Sequence, residues 1–222
     1  VLTDLFLQPE ADRLLIDCDA GITDELLSLL QRYRLRSAVT LTDDSTTYAA
    51  FAFDHPFEGA FPDPRLHQLG WRAILPRSRL ADTDLADITN SYELQRLQLG
   101  IPRGLRDMPS QWALALECNL DHLHGINFSK GCFPGQELTT RMRTRKLLRR
   151  RLLPVEMASA VALPPGTPVL SANPVAAGEI RSSAGPFALA LLRLDSLGED
   201  LTANDCPLRV LWPDWLPHQG TH

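Results

Sequence analysis

The residues with the most chemical promise lie in one short run, Lys130-Gly131-Cys132-Phe133-Pro134-Gly135-Gln136-Glu137, followed at once by Leu138-Thr139-Thr140-Arg141. Two glycines and a proline bracket a lone cysteine. Pro134 suits a first helical turn, where its missing N–H has no helical partner to lose. Gln136 and Glu137 put polar and negative groups near that start, where the helix dipole favours them. Cys132 then stands just outside a helix N-terminus and beside Lys130, and both neighbours favour thiolate over thiol. Such a sulfur can ligate a metal transiently, exchange with a partner's thiol or react with an activated carbon unit. The competing reading is a buried structural cysteine in a Gly-rich turn. Lys130 and Lys146 are the two lysines among 22 bases, so the cation beside Cys132 is not background composition.

Glu117 is the next candidate, set inside the largely apolar run from Trp112 to Leu120. Burying a carboxylate without a partner is expensive, so something must compensate it. A nearby arginine or a bound ligand would each serve. Asp4 lies in Thr3-Asp4-Leu5, read as part of a strand, where a lone aspartate at an alternating position faces solvent. His122 and His124 alternate beside Asp121, but two histidines without a clear third ligand read as a polar turn. Glu137 and Arg141 stand four apart, the spacing of a helix-surface ion pair. From Arg141 to Arg151 there are seven bases and no acid. That run reads as a solvated face between domains, as a contact for an anionic tail or acidic partner, or, without interleaved aromatics for stacking, least well as an RNA site.

Several function classes drop out on composition. A net charge of -5 lends no support to general nucleic-acid binding. No apolar run approaches the length that spans a bilayer, and the opening residues lack a signal-peptide pattern. Cys18, Cys118, Cys132 and Cys206 are scattered, without a C-x-x-C pair, which argues against a zinc site, a self-sufficient cluster site or a disulfide scaffold. Cys118, in its apolar run, reads as core. A reducing cytoplasm is the expected setting.

The elements that must position these residues follow from period and punctuation. Val1 to Leu7 and Arg13 to Cys18 read as strands around a Gln8-Pro9-Glu10 turn. Ile22, Leu26, Leu29, Leu30 and Tyr33 fall at helical spacing, with Asp24 and Glu25 in the first turn. Ala38 to Thr42, Thr47 to Phe53 and Gly70 to Leu75 are strand candidates, with a loop from Asp54 to Pro64. Leu85, Ile88, Tyr92, Gln95 and Leu99 mark a second helix ending at Gly100, and Gly104 to Ser110 reads as loop. Beyond the arginine run, short apolar segments joined by Pro/Gly turns predict a small antiparallel barrel. They are Leu152 to Met157, Thr167 to Leu170, Gly178 to Arg181, Ala188 to Leu194 and Pro207 to Leu211. At 222 residues the chain holds one large or two small domains. The expected division is 1–146 and 147–222, in an α+β protein.

The Lys-Gly-Cys-aromatic-x-Gly-Gln-Glu string, with a Thr and an Arg after it, resembles the signature of the YgfZ-type folate-binding proteins. These are relatives of the glycine cleavage T-protein, an aminomethyltransferase, and they serve in assembling or repairing iron–sulfur clusters. Tyr33-Arg34-Leu35-Arg36 with Val39, Asp63-Pro64-Arg65, Leu69-Gly70-Trp71-Arg72 and Leu116-Glu117-x-Asn119-Leu120-Asp121 belong to the same likeness, which runs from about Val1 to Val155 and thins in the barrel. The resemblance implies a T-protein-like folate-binding α/β domain followed by a small antiparallel β-barrel, with the beginning of the first domain missing ahead of Val1. It implies tetrahydrofolate as cofactor, its pterin offering two parallel donors to the carboxylate of Glu117. Lys130, Gln136 and Arg141 would support the ligand site and the motif loop. Cys132 and Asp4 would be the reactive residues, and cluster assembly proteins or cluster-containing clients the partners. Where the T-protein pattern has paired aspartates, Thr3 fills one place and Asp4 the other, which favours an accessory factor over the alternative, a folate-dependent aminomethyltransferase.

Overall fold

The computed structural model describes residues 1–80, 89–133, 135–172 and 175–218. The chain forms two compact units, residues 2–87 and residues 88–222 together with Val1.

In the first unit, strands β1 (Phe6–Pro9) and β2 (Leu14–Asp17) form an antiparallel hairpin in which Pro9 pairs with Leu14. The expected hairpin exists, but its turn falls at Glu10–Arg13, where the Glu10 amide donates to the Arg13 carbonyl at 2.9 Å. Gln8 belongs to the strand because its side chain clamps a neighbouring backbone: Oε1 accepts from the Ile74 amide at 2.8 Å and Nε2 donates to the Ile74 carbonyl at 3.4 Å. Helix α1 (Thr23–Arg34) follows as its spacing predicts, with Asp24 and Glu25 in the first turn and Arg32 and Arg34 in the last. Ala38 to Thr42, expected as a strand, forms none. A β-prone stretch needs a neighbour to take its backbone groups; here the Val39 carbonyl accepts from the Arg34 side chain instead, at 3.1 Å.

The rest of this unit is a sheet of order β3 (Tyr48–Phe53), β5 (Trp71–Pro76) and β4 (Phe61–Pro62). The two-residue β4 lies within the stretch expected as loop. Gly70 at φ +77° is the one residue type that fits there, since a Cβ would sit 2.2 Å from the Phe53 carbonyl oxygen.

The second unit opens its described part with α2 (Thr89–Leu99). Leu85 and Ile88, assigned to this helix from spacing, lie outside the described residues. Gly100 at φ +75° ends the helix as expected, and the Trp215 indole N–H donates to the Leu99 carbonyl at 2.8 Å. The expected loop at Gly104 contains one turn of helix, α3 (Gly104–Asp107), because the Asp107 carboxylate takes the Arg103 amide at 2.8 Å. Helix α4 (Glu137–Thr144) then precedes the barrel.

The barrel closes in the order β10 (Leu201–Ala203), β11 (Cys206–Val210), β6 (Arg150–Met157), β9 (Phe187–Arg193), β8 (Ala176–Ala184) and β7 (Pro168–Ser171), every pair antiparallel. Alternate residues Leu153, Val155 and Met157 of β6 meet Ala188, Ala190 and Leu192 of β9 inside it. The opposite face of β9, Leu189 and Leu191, packs with Leu152 under Leu97 of α2. Being covered on both sides explains why Phe187 to Leu192 reads as a continuous apolar run. β10, at three residues, carries no usable period in the sequence, although Asn204-Asp205, both at positive φ, mark the hairpin that follows it. Among the described residues, no helix is long and apolar enough to cross a membrane.

Candidate functional site

Glu117 is held at the start of β6. Its carbonyl accepts from the Leu152 amide at 2.7 Å, and two residues on the fully buried Asn119 donates its side-chain N–H to the Leu152 carbonyl at 2.7 Å. Asn119 Oδ1 in turn accepts from Arg151 Nη1 at 2.6 Å. The Glu117-x-Asn119 spacing therefore serves as a short substitute strand along residues that β11 does not reach. It fixes the glutamate carboxylate at 7% exposure. Arg150 compensates the charge with a two-pronged pair, Nε to Oε1 at 3.1 Å and Nη2 to Oε2 at 3.2 Å, while its own side chain stays 47% exposed. Next door, Cys118 packs with Met108 and Ala113. Burial pushes its thiol up to about 12, with the Glu117 charge adding to the effect, so this sulfur is a core atom.

Cys132 sits the other way, a free and exposed cysteine, so the buried structural reading does not hold. Its loop is ordered by Gln136, whose Oε1 accepts from the Phe133 amide at 3.0 Å and from Lys130 Nζ at 3.3 Å. Lys130 also donates to the Gly131 carbonyl at 3.4 Å and lies 5.3 Å from the Phe133 ring centroid. Lys130 and Gln136, six positions apart, thus clasp a loop on which Cys132 stands exposed. Beside it runs an open groove of about 720 Å³ lined by Cys132, Phe133, Glu137, Thr140, Arg141 and Arg145. Pro134 lies outside the described residues; the helix itself starts at Glu137. The expected Glu137–Arg141 ion pair does not form: both side chains are exposed and neither meets an opposite charge among the described residues. An exposed i, i+4 pair gains only a few tenths of a kcal/mol, ~0.3–0.5, too little to hold two long side chains together.

Asp4 belongs to the first unit and lies ahead of β1 instead of within a strand. It is half-buried, not solvent-facing. Burial raises its carboxyl above the ordinary value and the nearby Asp17 adds to this, against its own backbone amide and the charges of Arg65 and Arg72. Two of the quoted sequence pieces meet at its side. Asp63 takes Arg65 through Nε at 3.0 Å and Nη2 at 2.7 Å, and Arg72 through Nη1 at 3.3 Å; Arg72 Nη2 reaches Asp17 at 2.6 Å. Both guanidinium groups cover the Phe6 ring, at 4.8 and 3.6 Å.

That cluster sets a pH dependence. Burial pushes the Asp63 carboxyl up, but the hydrogen bonds and charges of Arg65 and Arg72 outweigh it and hold it below the usual carboxylate range. A depressed folded-state pKa adds stability above the unfolded value, about 4, and loses it as pH falls through the folded one. Asp63→Asn should therefore cost about 1–3 kcal/mol at pH 7, with the gap to the parent closing below about pH 4 in urea unfolding curves. A gap that is constant with pH would remove the charge from the account.

His122 meets Asp121 at 3.4 Å, and among the described residues no three His, Cys, Asp or Glu side chains group as a metal site.

Comparison with known proteins bears on the whole chain. The human iron–sulfur cluster assembly factor IBA57, mitochondrial, is 31% identical over 248 residues, covering 98% of this chain and 68% of the human protein. The chain belongs to the IBA57 family. Mouse IBA57 is likewise 31% identical, over 239 residues, with 93% of this chain and 65% of the mouse protein covered, and the Mycosarcoma maydis IBA57 homologue is 33% identical over 184 residues. The chain thus spans about two thirds of the length of its mammalian relatives. Membership of this YgfZ-type group agrees with the resemblance seen in the Cys132 motif. Residues 149–218 match the family described as CAF17, C-terminal beta-barrel domain. The glycine cleavage system aminomethyltransferase T of Bartonella henselae superposes with a TM-score of 0.60 at 14% identity, covering 97% of this chain and 72% of that one. At that identity the likeness establishes the T-protein-like fold alone. The mammalian and fungal relatives are named as mitochondrial proteins, which overturns the expected cytoplasmic setting.

Proposed function

We propose that this chain serves in assembling iron–sulfur clusters for client enzymes, presenting Cys132 to a cluster assembly protein or client and holding tetrahydrofolate at Glu117. The observation that carries the first part is the outward sulfur on a loop clasped by Lys130 and Gln136, at the head of an open groove that contains Arg141. Family membership supports the setting.

The Glu117–Arg150 pair supports the second part. The pterin edge of folate, a ring N–H beside an amino group on one carbon, has the same two-donor shape as a guanidinium. Arg150 gives Glu117 that fork already, and its half-exposed side chain has solvent to move into. A ligand would replace one charge-assisted fork with another, leaving the buried acid partnered throughout.

Two substitutions test this by calorimetric titration with tetrahydrofolate. Glu117→Gln should weaken binding about tenfold or more, the cost of one charge-assisted interaction. Arg150→Ala should tighten it by removing the competitor. A dissociation constant unmoved by either change would remove Glu117 from the folate site.

A further inference from the structure

The bases beside Cys132 are unspent. Arg141, Arg143, Arg145, Lys146 and Arg149 are all exposed, and none pairs with a carboxylate among the described residues. By contrast Arg150 is committed to Glu117 and Arg151 to Asn119. Arg143 stacks its guanidinium 3.6 Å from the Phe128 ring centroid, which fixes the side chain without neutralising it. Like charges gathered this closely repel one another and lower stability. In a chain of net charge -5 they form a local patch of the opposite sign.

The geometry points to a docking stripe for an acidic polypeptide along α4, leading to Cys132; this rests on the proposed role of Cys132. Within α4 the groove is lined by Glu137, Thr140, Arg141 and Thr144, the i, i+3, i+4, i+7 spacing of one helix face, with Cys132 and Phe133 ahead of the helix and Arg145 at its C-cap. Eight helical residues extend about 12 Å, roughly the reach of four residues of an extended strand. The groove is open along its length, whereas a small-molecule site encloses most of its ligand. Phe133, 65% exposed, supplies an apolar anchor within the groove beside its arginines, and Leu138, 53% exposed, stands on α4 outside the lining, a mix of apolar and arginine side chains like that of protein interfaces. Charge complementarity then specifies the partner: a face or segment rich in Asp and Glu, carrying the group that Cys132 is to meet. The arginines act before contact, by raising the rate of encounter.

Thiol exchange at Cys132 reads this directly. Three peptides of equal length each carry one cysteine as the mixed disulfide of thionitrobenzoate, flanked by glutamates, serines or lysines. The Cys132 thiolate attacks the peptide sulfur, a new S–S bond forms, and thionitrobenzoate leaves as the coloured thiolate with the electron pair of the broken bond. Rates for Cys132→Ala are subtracted to remove the contributions of the other cysteines. The glutamate peptide should react about tenfold faster than the serine peptide at low salt, and the advantage should shrink as ionic strength rises. The double variant Arg141→Glu, Arg145→Glu should bring that ratio to one or below. Equal rates in the parent, or a ratio unmoved by the double variant, would overturn the stripe. Polyglutamyl tetrahydrofolate and single-stranded RNA serve as competitors, and blocking by either at lower concentration than free oligo-glutamate would also overturn it. The two proposals fail separately. If Cys132→Ala cells lose cluster enzymes while the peptides show no charge preference, the stripe falls and the role of Cys132 stands; a charge preference alongside full cellular support by Cys132→Ala means the reverse.

Discussion

Arg96→Met is expected to destabilise the unit that contains the barrel by about 3–5 kcal/mol, the range for removing one partner from a buried ion pair. Arg96 is fully buried. Its guanidinium joins three elements: Nε and Nη2 take Glu93 at 2.7 and 2.5 Å, Nη1 takes Asp107 Oδ2 at 2.8 Å and the Ile101 carbonyl at 3.0 Å, and Nη2 reaches Ser182 Oγ of β8 at 3.3 Å. Methionine keeps much of the aliphatic stem but leaves two carboxylates short of their cation. Glu93 retains Arg103 and Arg106 at 3.6 and 3.0 Å, both near solvent. Asp107 has no such reserve. Its side chain is 0% exposed and its Oδ1 already lacks a hydrogen-bond partner among the described residues. Urea unfolding should show the loss as a lower midpoint. Adding Asp107→Asn should restore part of it, because that change removes the stranded charge. If the double variant is less stable than the single by the full cost of Asp107→Asn alone, the two residues are not coupled.

Cys132→Ala is expected to abolish support of cluster enzymes in cells that depend on this chain, while leaving its folding intact. The sulfur is exposed and packs into no core, so its loss should change stability by less than about 0.5 kcal/mol. The tetrahydrofolate binding proposed at Glu117 should likewise be unchanged, since Glu117 and Arg150 are untouched. Cys118→Ala supplies the opposite control. That thiol fills a place among Met108 and Ala113, so its removal should lower stability and spare support. Full complementation by Cys132→Ala would reduce the residue to loop structure and remove the thiol from the proposed function.

Much of the site's layout could be read along the chain, and the particular gaps have physical causes. The barrel strands β6 and β9 showed as apolar segments between Pro/Gly turns, and α1 and the end of α2 at Gly100 showed by spacing and cap. Ala38 to Thr42 failed because strand propensity is not a partner. Asp4 lies outside β1 because the β1–β2 ladder starts at Phe6 opposite Asp17, and Gln8 belongs to that strand with a side-chain clamp on Ile74 that joins residues 66 positions apart. The Cys132 motif announced an organised loop, and its lysine and glutamine turned out to be the loop's own clasp.

Local order therefore settled the longer helices and barrel strands, which cysteine is in a special setting, and which acid would be costly to bury, since each depends on neighbours within a few residues. Folding settled the rest. Arg150, 33 residues beyond Glu117 in sequence, is the cation that answers it, Asp107 and Ser182 reach Arg96 from two further elements, and five of the clustered bases are left without a counter-charge among the described residues. No period or cap encodes these pairings, because a hydrogen bond between distant residues depends on where the backbone carries them and not on the residues that stand beside them.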